Sequence, residues 1–295
     1  MSIPAQQNPE TDTSDAVVVG VDGSAGNHAA VTWAAREADA TGRSLTLVAV
    51  LDDVAFLAPM THNDVDSIRA RQVLNEVVTQ TRRQYPRLRV THEMHVGGTV
   101  TTLLDLASRQ HLVVVGKREL GTFGRMMLGS TSTAVAGRSR VPIVVVPDGW
   151  EPEAHTDAPI VVGVDPGQEL DRPLRWGFEH AERLDAPLVV VHSTDLSRSI
   201  VWDPQVEVMV DNDWMRRRSD DVRAGLELAQ LTFPDVEATL VEDPEHPADL
   251  LLRQAEAAQM LVLGRRESGR FGFTLGSVAR GVMHHASVPV AVIPS

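Results

Sequence analysis

The hydrophobic residues of this chain fall into short runs, separated by longer segments in which apolar positions recur with helical spacing. In the first half, this pattern predicts strands over 16–21, 45–51, 88–96, 112–116 and 142–147, and helices over about 26–41, 64–84, 99–109 and 130–138. Several strands are apolar on consecutive residues, as in "VVVG", which is typical of strands covered on both faces. Alternating strands and helices therefore predict an α/β fold built on a doubly wound parallel sheet.

The pattern occurs twice along the chain. "VVVGVD" at 17–22 returns as "IVVGVD" at 160–165, which is 143 residues later. "VVVGKRE" at 113–119 returns as "LVLGRRE" at 261–267, and "VPIVVVP" at 141–147 returns as "VPVAVIP" at 288–294. Self-similarity of this kind indicates two copies of one structural unit. We therefore expect a disordered tail over 1–15, a first domain over 16–148, a linker over 149–159 and a second domain over 160–295.

Composition narrows the classes of function. The 295 residues carry a formal net charge of −13, which disfavours binding to nucleic acid or to an anionic membrane, because both need clustered cations. The chain has no cysteines, so disulfides, thiolate zinc sites and cysteine nucleophiles are excluded. No segment has the composition of a signal peptide or the apolar length of a membrane span, and we expect a cytoplasmic protein.

Candidate binding residues stand where strands of the predicted sheet end. Asp22 and Gly23 follow the first strand, Gly116 ends the fourth strand, and Gly129-Ser130 opens the helix after it. Doubly wound sheets bind ligands beyond the carboxyl ends of their strands, and the free amide groups of a helix start favour an anion. Each feature alone is also an ordinary turn or helix cap, but the three together indicate a phosphate site. The sequence has no Walker loop, no dinucleotide fingerprint and no Gly-x-Ser-x-Gly elbow.

These residues carry a family resemblance. "VVGVDGS", the helix with Trp33, the strand "VVVG", the helix start "LGSTS" and the closing "VPIVVVP" resemble a tandem universal stress protein. The resemblance covers nearly the whole chain outside the tail and the linker. It implies two Rossmann-like domains of the adenine nucleotide alpha hydrolase type, paired through their last strands at 142–147 and 289–293 as a pseudo-twofold intramolecular dimer. A homodimer of the tandem chain is a further option.

The resemblance also implies that the ligand is ATP, bound with or without Mg²⁺. The ATP motif of the family is glycine, two residues, glycine, nine residues and Gly-Ser. The first copy keeps this spacing but has Glu119 at the second glycine, whereas the second copy has Glu267 there and is one residue shorter. By resemblance, the nucleotide site of the first copy comprises Asp22, Ser24, Val50, Gly116, Glu119, Gly129, Ser130 and Thr131, and that of the second copy comprises Asp165, Ser193, Gly264, Gly276 and Ser277.

Glu119 raises the question of whether phosphate still binds. Two like charges about 4 Å apart cost about 4 kcal/mol at an effective dielectric constant of about 20, which is nearly a thousandfold in affinity. Three alternatives avoid this repulsion. Glu119 pairs with Lys117, Arg118 or Arg125 at the surface, or it binds Mg²⁺, or it accepts hydrogen bonds from the ribose hydroxyls. The recurrence of "[KR]RE" in both copies reflects either a role or simple duplication.

Two hypotheses about function follow. In the first, the protein is a stress-response module that binds ATP, chiefly in the first domain, and acts through protein partners. In the second, it is a nucleotide-free scaffold of the same fold that works by protein contacts alone. No set of nucleophile, base and metal ligands stands out, so catalysis is limited to slow ATP hydrolysis at most.

Other clusters have structural explanations. His92 and His95 lie on one predicted strand and point to opposite faces, which makes them a poor metal pair. We interpret Arg216–Arg218 as a solvated helix face, and Trp33 and Trp176 as residues that pack between helix and sheet.

Overall fold

A computed structural model describes residues 15–23, 26–51, 61–117, 129–195, 212–265 and 275–295, with backbone only for 61–66 and 212–214. The predicted tail up to residue 14 lies outside these ranges, as do Ser24, Glu119 and Glu267. No helix in the described ranges combines the length and the apolar character that a membrane span requires.

Each half of the chain contains five strands and four helices in alternation. The first half comprises β1 (Val17–Gly20), α1 (Gly26–Thr41), β2 (Leu45–Leu51), α2 (Thr61–Gln84), β3 (Val90–Val96), α3 (Thr99–Ala107), β4 (Leu112–Gly116), α4 (Ser130–Arg138) and β5 (Ile143–Val146). The second half comprises β6 (Ile160–Gly163), α5 (Asp171–Leu184), β7 (Leu188–Ser193), α6 (Asn212–Thr232), β8 (Ala238–Asp243), α7 (Pro247–Ala255), β9 (Met260–Gly264), α8 (Ser277–His285) and β10 (Val290–Ile293). The predicted elements are present, although β3 begins two residues later than predicted, because Leu88 closes a turn onto Tyr85.

The ten strands form one sheet in the order β3-β2-β1-β4-β5-β10-β9-β6-β7-β8. All neighbouring strands are parallel except β5 and β10, which pair antiparallel with Val144 opposite Ala291. The prediction of two doubly wound domains, paired through their last strands, is confirmed. In each domain the chain reverses its direction of travel across the sheet, between β1 and β4 in the first and between β6 and β9 in the second, and ligands of such folds bind at these points.

Helices cover both faces of the sheet, which explains the continuous apolar runs of the central strands. One face packs against α1, α2, α5 and α6, and the opposite face packs against α3, α4, α7 and α8. Trp33 and Trp176 are buried on the first of these faces, as predicted. The strands that carry the predicted site residues are therefore covered on both faces, and the candidate sites lie at their carboxyl ends.

A charged cluster joins α1 to α5 across the pseudo-twofold axis. The Nη1 atom of Arg183 donates to both carboxylate oxygens of Glu37, at 2.9 and 3.1 Å, and Nε2 of His180 lies 3.3 Å from Oε1. Glu37 and His180 occupy equivalent positions of the two repeats, 143 residues apart. Two identical domains in this arrangement would place two glutamates face to face, so the tandem chain replaces repulsion by attraction.

The cluster sets the ionisation of Glu37. Burial alone would raise the pKa of its carboxyl group, but the adjacent His180 and the charge of Arg183 outweigh burial and lower the pKa below its ordinary value of 4.5. A carboxyl group whose pKa is lowered by folding stabilises the protein above its unfolded pKa, and this contribution is lost as the pH falls through the folded value.

We predict that Glu37→Gln lowers the free energy of unfolding by about 2 kcal/mol at neutral pH, less than the cost of breaking a fully buried pair, because Arg183 keeps 25% of its side chain exposed. The difference from the wild type should shrink as the pH falls below 4.5, where the carboxyl group of the unfolded chain binds a proton before that of the folded chain does. Urea unfolding at several pH values measures both effects. Glu179→Gln, at an exposed position beside His180, is the matched control, and equal losses in the two variants would contradict the assignment.

Candidate functional site

A cavity of about 490 Å³ opens at the carboxyl ends of β6, β7 and β9, beside the N-terminus of α8. Its volume is within the range of small-molecule sites. The lining includes all five residues that the sequence predicts for the second domain, which are Asp165, Ser193, Gly264, Gly276 and Ser277. The fold therefore brings together residues that are spread over more than a hundred positions of the chain.

The inner wall of the cavity is apolar and closely packed around Gly163, the last residue of β6. A Cβ atom added at Gly163 would lie 2.7 Å from the methyl groups of both Leu251 and Leu263. Leu250, which is fully buried, lines the same wall. The absence of a side chain at Gly163 thus allows α7 to approach the sheet and close the back of the cavity.

Asp165 lies at one end of the cavity and is already engaged by three donors. Its carboxylate accepts hydrogen bonds from the Gly167 amide at 3.0 Å, from Nε2 of Gln168 at 2.9 Å, and from the guanidinium group of Arg218. A ligand that uses Asp165 must share it with these groups. The pairing also gives the cavity a cation, since Arg218 is among the lining residues.

The interpretation of all three arginines on α6 as a solvated face was wrong for Arg218. Arg216 and Arg217 are exposed, but Arg218 points towards the sheet and is half-buried. Successive residues of a helix are rotated by about 100°. A run of three therefore cannot share one direction, and the sequence alone did not show which member faces inward.

Ser193 organises the loop after β7. Its hydroxyl group donates to the carbonyl oxygen of Glu245 at 2.7 Å and accepts from the Asp195 amide at 3.2 Å. His192, which the sequence analysis did not select, is buried next to it and also lines the cavity. Burial lowers the pKa of His192, and the charge of Arg218 adds to this effect, which favours the neutral imidazole. The polar residues that interrupt the apolar strand "LVVVHSTD" were the signal in the sequence that could have identified His192.

In the first domain, the described residues of the predicted site also meet at one edge of the sheet. Asp22 follows β1, Val50 lies on β2 and Gly116 ends β4, and these strands are neighbours. The hydroxyl group of Ser132, in the first turn of α4, donates to the carbonyl oxygen of Gly116 at 3.0 Å. This contact fixes the helix start, with Gly129, Ser130 and Thr131, against the end of β4.

Asn27 shapes the turn at Asp22. Its side-chain oxygen accepts from the Asp22 amide at 2.6 Å, and its nitrogen donates to the carbonyl oxygen of Gly20 at 3.1 Å. Gly23 has a φ of +76°, a conformation that suits glycine. These features explain the local sequence "GVDG" without a ligand, so they support the shape of the site and not its occupancy.

In both domains, the part of the site that is predicted to bind phosphate is the N-terminus of a helix. α4 begins after Gly129 and α8 begins after Gly276, and glycine at these N-cap positions carries no side chain to bind the first amide groups. Such a helix start attracts anions through its amide groups and its dipole. Within the described part of the chain, no group of three or more His, Asp or Glu residues is arranged to hold a metal ion.

These features define a tandem doubly wound α/β protein with candidate ligand sites at the switch points of its sheet, and comparisons identify the family. The sequence model of the universal stress protein family matches residues 13–147 and 158–294. The chain belongs to the universal stress protein family.

Relatives match over almost the whole length. A universal stress protein of Mycolicibacterium smegmatis is 31% identical, covering 95% of this chain and 97% of the relative. A universal stress protein of Mycobacterium tuberculosis is 29% identical over 95% of each chain. The crystal structure of a universal stress protein from Archaeoglobus fulgidus covers 95% of this chain and 98% of its own with a TM-score of 0.75, and at 19% identity this likeness supports the fold alone.

The two repeats should respond differently to the same substitution at the end of their first strand. We predict that Gly163→Ala destabilises the protein by about 1 kcal/mol, because the new methyl group overpacks Leu251 and Leu263. Gly20→Ala, at the equivalent position, adds a methyl group 3.7 Å from Leu103 and should be neutral or slightly stabilising. Thermal unfolding of both variants measures the difference, and equal midpoints would contradict this description of the cavity wall.

Proposed function

We propose that this protein is a cytoplasmic regulator that binds adenine nucleotide, ATP in the first instance, and acts through protein partners. The observation that carries the proposal is the cavity of the second domain, into which the fold brings Asp165, Ser193, Gly264, Gly276 and Ser277 together. A shared fold alone would not support a ligand, since folds host many functions. A built cavity at the switch point, lined by the residues that the family resemblance selects, supports one.

The two ends of the cavity suit the two ends of a nucleotide. At one end, the uncapped start of α8 offers amide groups and the Ser277 hydroxyl to phosphates. Between these ends, Gly264 at the end of β9 lines the cavity, where its backbone can contact a sugar. At the other end, Asp165 and Arg218 offer an acceptor and donors to the sugar and base. Mg²⁺ bound to the phosphates would reduce repulsion from the strongly acidic chain.

Occupancy of the first domain is proposed on different grounds. Its loop keeps the nine-residue spacing before Gly129-Ser130, and Ser132 holds the helix start against Gly116. Glu119 stands where the family motif has its second glycine. Because the two loops differ in length, and Gly23-Ser24 of the first copy is replaced by Pro166-Gly167 in the second, we expect the two sites to bind with unequal affinities.

The second candidate function is a scaffold that has lost its nucleotide. The engagement of Asp165 by Arg218, Gln168 and Gly167 favours this reading, because the carboxylate is satisfied without a ligand. Purified protein distinguishes the two functions. The proposal predicts adenine nucleotide in the supernatant after denaturation, or saturable binding of Mg-ATP in calorimetric titration, whereas a scaffold gives neither.

We predict that Gly276→Glu weakens Mg-ATP binding in the second domain by at least about tenfold, because it adds a carboxylate at the phosphate end. The backbone at Gly276 has a φ of −60°, which any residue adopts, and a Cβ atom there meets nothing within 4 Å. Gly276→Gln adds the same bulk without charge and is the control. Calorimetric titration of both variants separates charge from size, and unchanged binding in Gly276→Glu would place the phosphates elsewhere.

A parallel experiment tests the first domain. If Glu119 repels phosphate, Glu119→Gly should tighten Mg-ATP binding by at least about tenfold, which is a gain of about 1.4 kcal/mol. Glu119→Gln keeps the bulk and removes the charge. Tighter binding of this variant in titration indicates repulsion, and weaker binding indicates that the carboxylate binds the ribose or Mg²⁺. Affinities unchanged in both variants would show that Glu119 has no part in the site.

A further inference from the structure

The first residue of the repeated "[KR]RE" segment crosses from one domain into the other. Lys117 follows β4 directly, is 4% exposed, and donates from Nζ to the carbonyl oxygen of Ala286 at 3.2 Å. Ala286 is the C-cap residue of α8 in the second domain. A residue beside the predicted nucleotide glycine of one domain therefore binds a helix of the other.

The second repeat makes the same contact in the opposite direction. Arg265 follows β9, is 6% exposed, and its guanidinium group donates to the carbonyl oxygen of Ser139, with a longer contact of 3.5 Å to that of Ala136. Ser139 is the C-cap residue of α4 in the first domain. The recurrence of the segment thus has a structural role, because the two cations form reciprocal contacts across the domain interface.

Backbone hydrogen bonds tie both residues to the last strand of their own domain. The Lys117 amide donates to Val146 at the end of β5, and the Arg265 amide donates to Ile293 at the end of β10, each at 2.7 Å. A cation at a helix C-terminus is favourable because it meets the negative end of the helix dipole and satisfies carbonyl groups that have no partner within the helix. Burial strengthens such contacts, since little water screens them.

The two helices connect these contacts to the candidate sites. α4 and α8 are nine residues each, so their ends are about 13 Å apart. The N-terminus of α8 lines the cavity of the second domain, and its C-terminus binds Lys117 of the first. The N-terminus of α4 is bound to Gly116 of the first domain, and its C-terminus binds Arg265 of the second.

We propose that Lys117 and Arg265 are positioning residues that couple the two nucleotide sites. Each cation fixes the helix whose N-terminus lies at the opposite site, so that the contact made from one domain sets the affinity of the other domain for its ligand. The proposal rests on the proposed function for its ligand, but the mechanical connection exists without nucleotide and is testable alone. Coupling between sites of one protein is typically about 5- to 150-fold in affinity.

The experiment changes Lys117 in the first domain and measures ligand binding in the second. It uses the full-length chain with the first site blocked by Gly129→Glu. In this background, titration with Mg-ATP reports the second domain alone. Adding Lys117→Met, which keeps the apolar stem and removes the charge, should weaken binding at the second domain by at least about fivefold, although Lys117 does not line that cavity. Lys117→Arg, which reproduces the residue of the other repeat, should rescue it.

Arg109→Met, which removes an exposed cation of the first domain, controls for a general loss of charge. Binding in the Lys117→Met chain that stays within fivefold of the background, or that falls equally with Arg109→Met, overturns the proposal. Circular dichroism confirms that each variant is folded. If Lys117→Met does not fold, the Lys117→Gln variant takes its place under the same criterion.

If no nucleotide binds, the proposed function is refuted. Hydrogen exchange then still tests the mechanical connection between the domains. The Arg280 amide donates to Gly276 at 2.9 Å in the first turn of α8, at the end remote from Lys117. Without ligand, Lys117→Met should speed exchange of this amide by at least about tenfold, because the whole helix loses its anchor. A change confined to Ala286, at the contact itself, would show that the contact is local and would overturn the coupling.

Discussion

The antiparallel pairing of β5 with β10 is the interaction on which the rest of the structure depends. Each strand ends its domain and consists of four buried apolar residues. Alone, either strand would be an exposed apolar edge of the kind that promotes aggregation. Paired, they turn two five-stranded sheets into one sheet of ten strands. The last strand of each repeat is therefore both a part of its own core and the interface with the other repeat.

This pairing also determines what the sites share. β4 and β9 lie next to the central strands, so Gly116 and Gly264, at their ends, are close to the domain interface. The residues that follow, Lys117 and Arg265, reach across it. On the opposite face, Glu37 meets His180 and Arg183. A tandem chain can place different residues at equivalent positions, and here that freedom converts a like-charged contact into an attractive one.

Local features of the sequence were sufficient to predict two doubly wound domains, whereas the pairing of their last strands and the candidate site residues came from the family resemblance. Consecutive apolar residues identified buried parallel strands, and their repetition identified two domains. The family resemblance placed Asp165 and Gly264 in one site, and both line the cavity of the second domain.

Contacts between distant side chains could not be predicted in the same way. Arg218 lies 53 residues from Asp165, and Lys117 lies 169 residues from Ala286. No local pattern shows which of three adjacent arginines points inward, or that a lysine after a strand crosses an interface. These contacts follow from the rotation of a helix and the packing of two domains, which only the assembled chain defines.

Scanning calorimetry of the full chain, with and without Mg-ATP, tests the central claim that one strand pairing unites two domains around nucleotide sites. Ligand that binds only the folded state raises the unfolding temperature, and a single body responds as a whole. The account predicts one cooperative transition in the absence of nucleotide and one transition at higher temperature in its presence. Two separate transitions would contradict the single body, and a midpoint unchanged by Mg-ATP would contradict the nucleotide sites.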